Sequence, residues 1–286
     1  MDRRYYVSVI MPCFNHGEFL QEAVESVSSL KRVEIEIVVV DDGSTDERTR
    51  QELERVCGPG IKVIRQENKG LAAARNAGVR ASQGKYILPL DADDRLRSEW
   101  LDRGIAVLDS QPQVGVVYGD AQCFGTRNDR WSVGPFETER LLYWNFIHAS
   151  ALYRRAIWEQ NGGYDGTMPV QGLEDWDFWL GALEHGWQFE YIPEVFFDYR
   201  RTEESMITRT TGFEERVKEF VARKHGLLYR QAFFTLINER QSLEWEHQSL
   251  KWTLRHLRGL LAVKVKSRFS KNSGDSADER SEPAKS

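Results

Sequence analysis

Through the first 120 residues, short apolar runs alternate with longer stretches whose apolar positions recur every three or four residues. Residues 5–11 form the first run, ended by Pro12. Residues 35–40 are almost unbroken β-branched sequence, the pattern of a central parallel strand covered on both faces. Residues 61–64 and 86–90 supply two more runs. Between them Phe19, Leu20, Ala23, Val24 and Val27 fall at helical spacing and predict a helix over 18–30. Ser44 or Thr45 is placed to cap a second helix reaching about Val56, which Gly58-Pro59-Gly60 stops. A third helix, rich in alanine, runs from Ala72 toward Ser82 and is broken by Gly84. Strands alternating with helices in this way predict an α/β fold: a doubly wound, mostly parallel sheet of nucleotide-binding type with right-handed crossovers.

Beyond residue 95 the pattern is looser. A helix is expected over 96–108, a strand over 114–118, an irregular excursion over 119–145 and a strand over 147–153. A Gly- and Pro-punctuated loop at 166–173 precedes a helix from Glu174 to His185, and strands follow at 187–192 and 196–200. From Phe213 the spacing is helical nearly to Phe269, with C-terminal helices as the consequence; the polar residues 272–286 read as disordered. The expected organisation is a catalytic domain over 1–210, a helical extension over 211–271 and the tail. Within the catalytic domain, residues 1–120 are expected to bind the nucleotide and residues 121–210 the acceptor.

Charge changes this picture in one place. The net charge is −5, from 44 acidic and 39 basic residues, which argues against a nucleic-acid partner. Yet residues 251–271 hold Lys251, Arg255, Arg258, Lys264, Lys266, Arg268 and Lys271 and no acid, interleaved with Trp252 and leucines. Such a segment suits peripheral contact with an anionic membrane; the plainer alternative is a packed helix with its cations in water. Cys13, Cys57 and Cys123 are too scattered for a disulfide framework or a zinc knuckle. No run reaches the roughly 20 apolar residues of a membrane span. A cytoplasmic protein is expected, peripheral at the inner face of the plasma membrane if 251–271 binds there.

The candidate chemistry lies at two strand ends. The run 86–90 ends in Asp91, Asp93 and Asp94, and the run 35–40 ends in Asp41, Asp42 and Asp46. Carboxylates this dense repel one another, so a folded chain gathers them for a reason, such as a hard cation carrying substrate phosphates. An acidic turn that caps the next helix is the alternative. In an open α/β sheet, strand ends of this kind meet at the carboxyl edge, where ligands sit.

The ordered series Met11-Pro12-Cys13-Phe14-Asn15, Val40-Asp41-Asp42-Gly43-Ser44-Thr45-Asp46, Asn68-Lys69-Gly70 with Ala74-Arg75-Asn76-Ala77-Gly78, Asp91-Ala92-Asp93-Asp94, Gly162-Gly163-Tyr164-Asp165, Glu174-Asp175-Trp176-Asp177-Phe178-Trp179 and Tyr199-Arg200 resembles the family-2 glycosyltransferases. These are inverting, nucleotide-sugar-dependent enzymes of GT-A fold, and the resemblance covers residues 5–207. It implies a donor site built from Pro12, Phe14, Asn15, Asp42, Arg75, Asp91, Ala92 and Asp93, with Asp93 as the ligand of Mn²⁺ or Mg²⁺. It implies Asp175 as the catalytic base, and it makes Glu174, Trp176 and His148 candidates for holding the acceptor. Arg200 and Arg201 become candidate phosphate contacts. The implied partners are a nucleoside-diphosphate sugar, with UDP the preferred nucleotide, and a glycan or lipid-linked glycan. Two departures, Gly181 where relatives carry a basic residue and Thr202-Glu203-Glu204 where they often carry histidine, put a third metal ligand in doubt. His148 and Trp179 also read as core residues. A nucleotidyltransferase would share the acids, but it needs a glycine-rich phosphate loop, and the first loop has only Gly17. A non-catalytic carbohydrate-binding protein is the other alternative.

Overall fold

The computed structural model describes residues 6–30, 34–202 and 214–272. It divides into two compact units, Met1–Tyr229 and Arg230–Ser286. The first unit is built on one mixed sheet. Four parallel strands form its first half: β1 (Val7–Cys13), β2 (Ile35–Asp41), β3 (Ile61–Arg65) and β4 (Tyr86–Pro89). The helices α1 (Gly17–Ser28), α2 (Glu47–Arg55) and α3 (Leu71–Ala81) connect them. The second half holds β5 (Arg95–Leu96), β6 (Val114–Gly125), β7 (Arg130–Trp131), β8 (Leu152–Arg154) and β9 (Gln188–Arg201). The sheet runs β3-β2-β1-β4-β8-β6-β9-β5, with β7 on β6. Helices α4 (Leu101–Ser110), α5 (Thr138–Tyr143), α6 (Arg155–Asn161), α7 (Glu174–Glu184) and α8 (Glu214–Lys224) complete it.

Burial explains the parallel half. Val7, Val9, Ile10, Met11, Val38, Val39 and Val40 are fully or almost fully shielded, as a strand covered on both faces requires. The small residues of α3 permit close approach: a Cβ at Gly78 would collide with Ile10 of β1. In the second half Trp100 stacks on Phe196, ring centroids 3.5 Å apart, and donates its indole N–H to the Phe196 carbonyl at 2.8 Å. That packing anchors α4 to β9.

Several local expectations change. Pro12 does not end β1, which continues to Cys13. It shares the parity of Ile10, whose carbonyl accepts from Leu90 on the β4 side; β4 has ended at Pro89, so the missing N–H removes no ladder bond. The cap of α2 is Asp46, accepting from Thr49 N at 2.8 Å, because Asn15 occupies Ser44 and Thr45. Leu96 is not helical: Arg95 and Leu96 pair with Asp198 and Phe197, and α4 starts at Leu101. The expected irregular stretch 119–145 is largely ordered, since β6 continues to Gly125 alongside β9. Within it Gly119 is a close-packing residue: a Cβ there would collide with the Phe196 ring. Of the expected strand 147–153 only Leu152 and Tyr153 are paired, in a strand that continues to Arg154. The two expected strands 187–192 and 196–200 are one, and Pro193 sits where the register with β6 shifts.

α8 packs into the first unit through Val217 and Val221, both fully buried. A last helix, α9 (Gly226–Asn272), forms most of the second unit. Side chains 251–258, including Lys251, Arg255 and Arg258, are exposed; the cations from Lys264 onward and the tail 273–286 lie outside the described side chains and residues. Among the described residues no helix is long and apolar enough to cross a membrane.

Candidate active site

β4 delivers the acidic turn. After Leu90 the chain bends so that Asp94 N–H donates to the Asp91 carbonyl at 3.0 Å. Asp94 is buried, while Asp91 and Asp93 keep 35% and 23% of their side-chain surface, enough to meet a ligand. Arg200 of β9 clamps this turn from behind. Its N–H donates to Asp94 Oδ1 at 2.9 Å and its Nε to the Asp93 carbonyl at 2.8 Å, and its guanidinium lies between the Phe19 and Phe124 rings and pairs with Glu22. Its Nε and Nη2 are engaged by the Asp93 carbonyl and Glu22, and Arg200 does not line the cavity of this site, whereas Arg201 does.

α3 delivers Arg75, fully buried, into the space between this turn and α7. Its Nη2 is 2.9 Å from Asp91 Oδ1, and its Nη1 pairs with Glu174. Burial alone would weaken the guanidinium's hold on its proton, but Asp91 and Glu174 hold its pKa above the ordinary value. Glu174 Oε2 also accepts from Gly172 N at 2.8 Å, so one of its oxygens closes the loop ahead of α7 while the other reaches Arg75. One arginine thus ties a strand end to the start of a helix far along the chain.

Asp175 follows at the head of α7, buried, its Oδ1 accepting from Trp176 N at 2.9 Å, with a further hydrogen bond from the Asn145 side chain. A helix N-terminus favours a charged carboxylate. Here burial first, and the neighbouring Glu174 second, outweigh that field and push the Asp175 carboxyl up to about 7. Burial, then repulsion from Asp91, also raises Asp93; burial with Asp93 and Asp91 raises Asp94 well above the carboxylate range.

Arg75, Asp91, Asp94, Glu174, Asp175 and Trp176 line a cavity of about 720 Å³, together with Trp131, Trp144, His148, Tyr199 and Arg201. Trp176 gives its indole N–H to the Leu141 carbonyl at 2.7 Å, and Trp179, wholly core, gives its own to Ile147 at 3.2 Å, so the segment 141–148 is fastened along α7. His148 packs edge-on to Trp131 at 4.1 Å and lies close to Phe197; this burial pushes its pKa down to about 4, leaving a neutral ring.

The remaining expected donor residues stand outside this cavity's lining, along the carboxyl ends of β1 and β2. Pro12 is buried within β1, and Phe14 is 42% exposed. Asn15 adopts a left-handed φ of 56°, and its Oδ1 accepts from Thr45 N at 2.8 Å, locking the first loop to the second. Asp42 accepts from Gln66 Nε2, Lys69 N and Gly70 N, which fixes the loop ahead of α3. Gly70 needs to be glycine there, with φ 85° and Gln171 where a Cβ would lie. Ala92 is buried, and Asp93 faces His16 of the first loop at 3.9 Å. The structure therefore joins Asp91, Arg75, Glu174, Asp175, Trp176, His148 and Arg201 in one space, and sets Pro12, Phe14, Asn15, Asp42, Ala92 and Asp93 along its adjoining edge.

The donor set fits a hard divalent cation. Asp93 and Asp91 offer oxygens on one turn, each partly exposed, and their mutual repulsion is what a cation would relieve. Among the described residues no cluster of three or more His, Cys, Asp or Glu forms a complete cage, so substrate oxygens and water would have to finish the coordination. Asn145, Trp131 and Trp144 line the same cavity and had no local signal in the sequence, because they arrive from a stretch that carries no periodicity.

Comparison with known proteins bears on the same region. The sequence model of the family described as "Glycosyl transferase family 2" matches residues 8–170. A "PGL/p-HBAD biosynthesis glycosyltransferase" of Mycobacterium tuberculosis is 33% identical over 177 residues, covering 60% of this chain and 67% of that one. "Chondroitin synthase" of Escherichia coli is 24% identical over 84% of this chain but only 36% of its own length. Among solved structures, S. aureus TarS 1–349 in complex with UDP-GlcNAc matches with a TM-score of 0.59 and 22% identity, over 71% of this chain and 60% of that one. The mannosyltransferase PcManGT from Pyrobaculum calidifontis, in complex with GDP-Man and Mn²⁺, matches with a TM-score of 0.55 and 22% identity, over 73% and 60%. The chain thus spans about three fifths of the length of these solved relatives.

Proposed function

Since the chain belongs to glycosyl transferase family 2 and carries the GT-A fold of a nucleotide-sugar-dependent transferase, we propose that it moves one sugar, with inversion, from a nucleoside diphosphate to a hydroxyl of a growing cell-envelope glycan, and that Asp175 is the base. The observation that carries this reading is the Arg75 bridge, which fixes the start of α7 against the acidic turn of β4 in one cavity. A uridine donor is the preferred choice, on the likeness to the UDP-GlcNAc complex.

Asp93, with Asp91 beside it, would hold Mn²⁺ or Mg²⁺, which when bound neutralises the departing diphosphate. The loops fixed by Asp42 and Asn15 form the nucleotide edge. Arg201 replaces Arg200 as the phosphate candidate, since it lines the cavity. The acceptor hydroxyl enters from the side of Trp131, Trp144 and His148. It attacks the anomeric carbon opposite the phosphate oxygen; the new C–O bond forms as the old one breaks, and the hydroxyl proton passes to Asp175. Trp176 and its neighbours restrict water, the competing nucleophile. Arg75 holds Glu174 in place, so that Asp175 beside it is aimed rather than merely present.

The test measures release of free nucleoside diphosphate from a panel of UDP-, GDP- and dTDP-sugars with Mn²⁺. Asp175→Asn is expected to bind donor normally and to lose transfer by about 10³-fold. Normal turnover in that variant would overturn the assignment of the base, and pyrophosphate as the product would overturn sugar transfer itself.

A further inference from the structure

α9 carries apolar side chains that nothing in its own unit covers. Leu236, Leu243, Leu250 and Leu257 are 50–65% exposed, and each is seven residues from the next. Phe233 and Leu254, also more than half exposed, stand three residues ahead of Leu236 and Leu257 and so lie on the same stripe. A straight α-helix repeats every 3.6 residues, so a strict repeat of seven drifts around it unless two helices supercoil to keep the stripe in contact. A bilayer makes no such demand, because a helix lying on lipid presents a broad apolar arc at the ordinary helical period.

We propose that α9 pairs with α9 of a second copy of this chain as a parallel, in-register coiled coil, its seam formed by Phe233, Leu236, Leu243, Leu250, Leu254 and Leu257. One flanking charge pair favours this register. Glu246 of each copy then lies opposite Lys251 of the other, and two-fold symmetry makes the pair twice. Glu239 lies opposite Glu244 of the other copy; there Arg240, which already holds Glu244 at 3.2 Å within its own helix, supplies the opposing charge. Arg240 and His247 occupy seam positions, where polar residues weaken a coil but restrict its partner and register. The inference rests on α9 alone and stands apart from the proposed activity.

Sedimentation equilibrium of the full chain tests it. The wild type should sediment, as concentration rises, toward twice its 33.2 kDa chain mass, and Leu243→Glu/Leu250→Glu at that chain mass throughout. Glu246→Lys and Lys251→Glu should each weaken association several-fold, and the double exchange should restore it. Those two positions are five apart and do not face each other on one helix, so restoration can arise only between copies. A wild type at 33.2 kDa at every concentration, or an unchanged mass in the leucine variant, overturns the pairing. Weak singles without restoration overturn the register. A monomeric wild type that co-sediments with phosphatidylserine vesicles, when the leucine variant does not, assigns the stripe to a bilayer instead.

Discussion

Asp175 carries two requirements that oppose each other. As a base it has to be ionised, yet burial and Glu174 raise its carboxyl to about 7, so near neutrality a fraction of the population is protonated. Transfer is therefore expected to accelerate as pH rises through about 7, and a rate flat from pH 5 to 9 would contradict the role given to it. The stability sign runs the other way. A carboxyl raised in the folded state contributes stability at low pH that is lost as pH climbs through its folded value. Asp175→Asn, which never ionises, should therefore melt above the wild type at pH 8 and not at pH 4, with an upper bound of about 4 kcal/mol at the alkaline end. Thermal unfolding at the two pH values measures it. Arg75 gives a second residue-level prediction. Lysine offers a compact point charge where the fork spans Asp91 and Glu174, so Arg75→Lys leaves one buried carboxylate unpaired. It should lose about 3 kcal/mol of stability in denaturant unfolding and most of its turnover; full activity would mean that the bridge does not aim the base.

At the scale of elements, the sequence was readable where one strand and its loop carry the signal together. The apolar runs 5–11, 35–40 and 86–90 announce strands that the structure places at 7–13, 35–41 and 86–89, and acids follow two of them at the ligand edge. What it did not disclose depends on partners distant in the chain. Gly119 has no evident role until Phe196 is known to lie against it, and Asn145 has no signature until α7 packs alongside. The docking of α8 was equally illegible. His225, just past its end, is buried with Nε2 3.0 Å from Asp177 Oδ1 and Nδ1 2.9 Å from Glu184 Oε2. Lys224 bridges Asp177 and Asp165 at 2.8 and 2.6 Å. Both ring nitrogens face acceptors, so the imidazolium is the form that fits. Burial opposes that form, but the two carboxylates prevail and raise the His225 pKa above 6.5. The stabilisation is then complete below pH 6.5 and disappears as pH rises through the raised value. The melting difference between wild type and His225→Gln should be largest near pH 6 and shrink by pH 9. A difference independent of pH would reduce the contact to neutral packing.

At the scale of the whole molecule, the carboxyl edge of the sheet is held rigidly from behind and left unfinished in front. Arg200, Asn15 and Asp42 are committed to fixing loops, whereas Asp91 and Asp93 keep exposed oxygens. No complete cage of three protein ligands exists among the described residues. A cation alone would find too few oxygens, and a diphosphate alone would meet the repulsion of the acidic turn. Each supplies what the other lacks, so their binding should be cooperative rather than additive. Mn²⁺ or a UDP-sugar by itself is expected to move the melting temperature little, and the two together by several degrees, corresponding to about 3 kcal/mol when the donor stands at a hundred times its dissociation constant. EDTA should abolish the joint shift without lowering the melting temperature of the ligand-free protein, because protein groups, Arg75 and Arg200, already tie the acidic turn to its surroundings. Asp93→Ala should remove the cooperativity while preserving the ligand-free melting curve. Equal and independent shifts from the two ligands would place the cation elsewhere than between this turn and the donor.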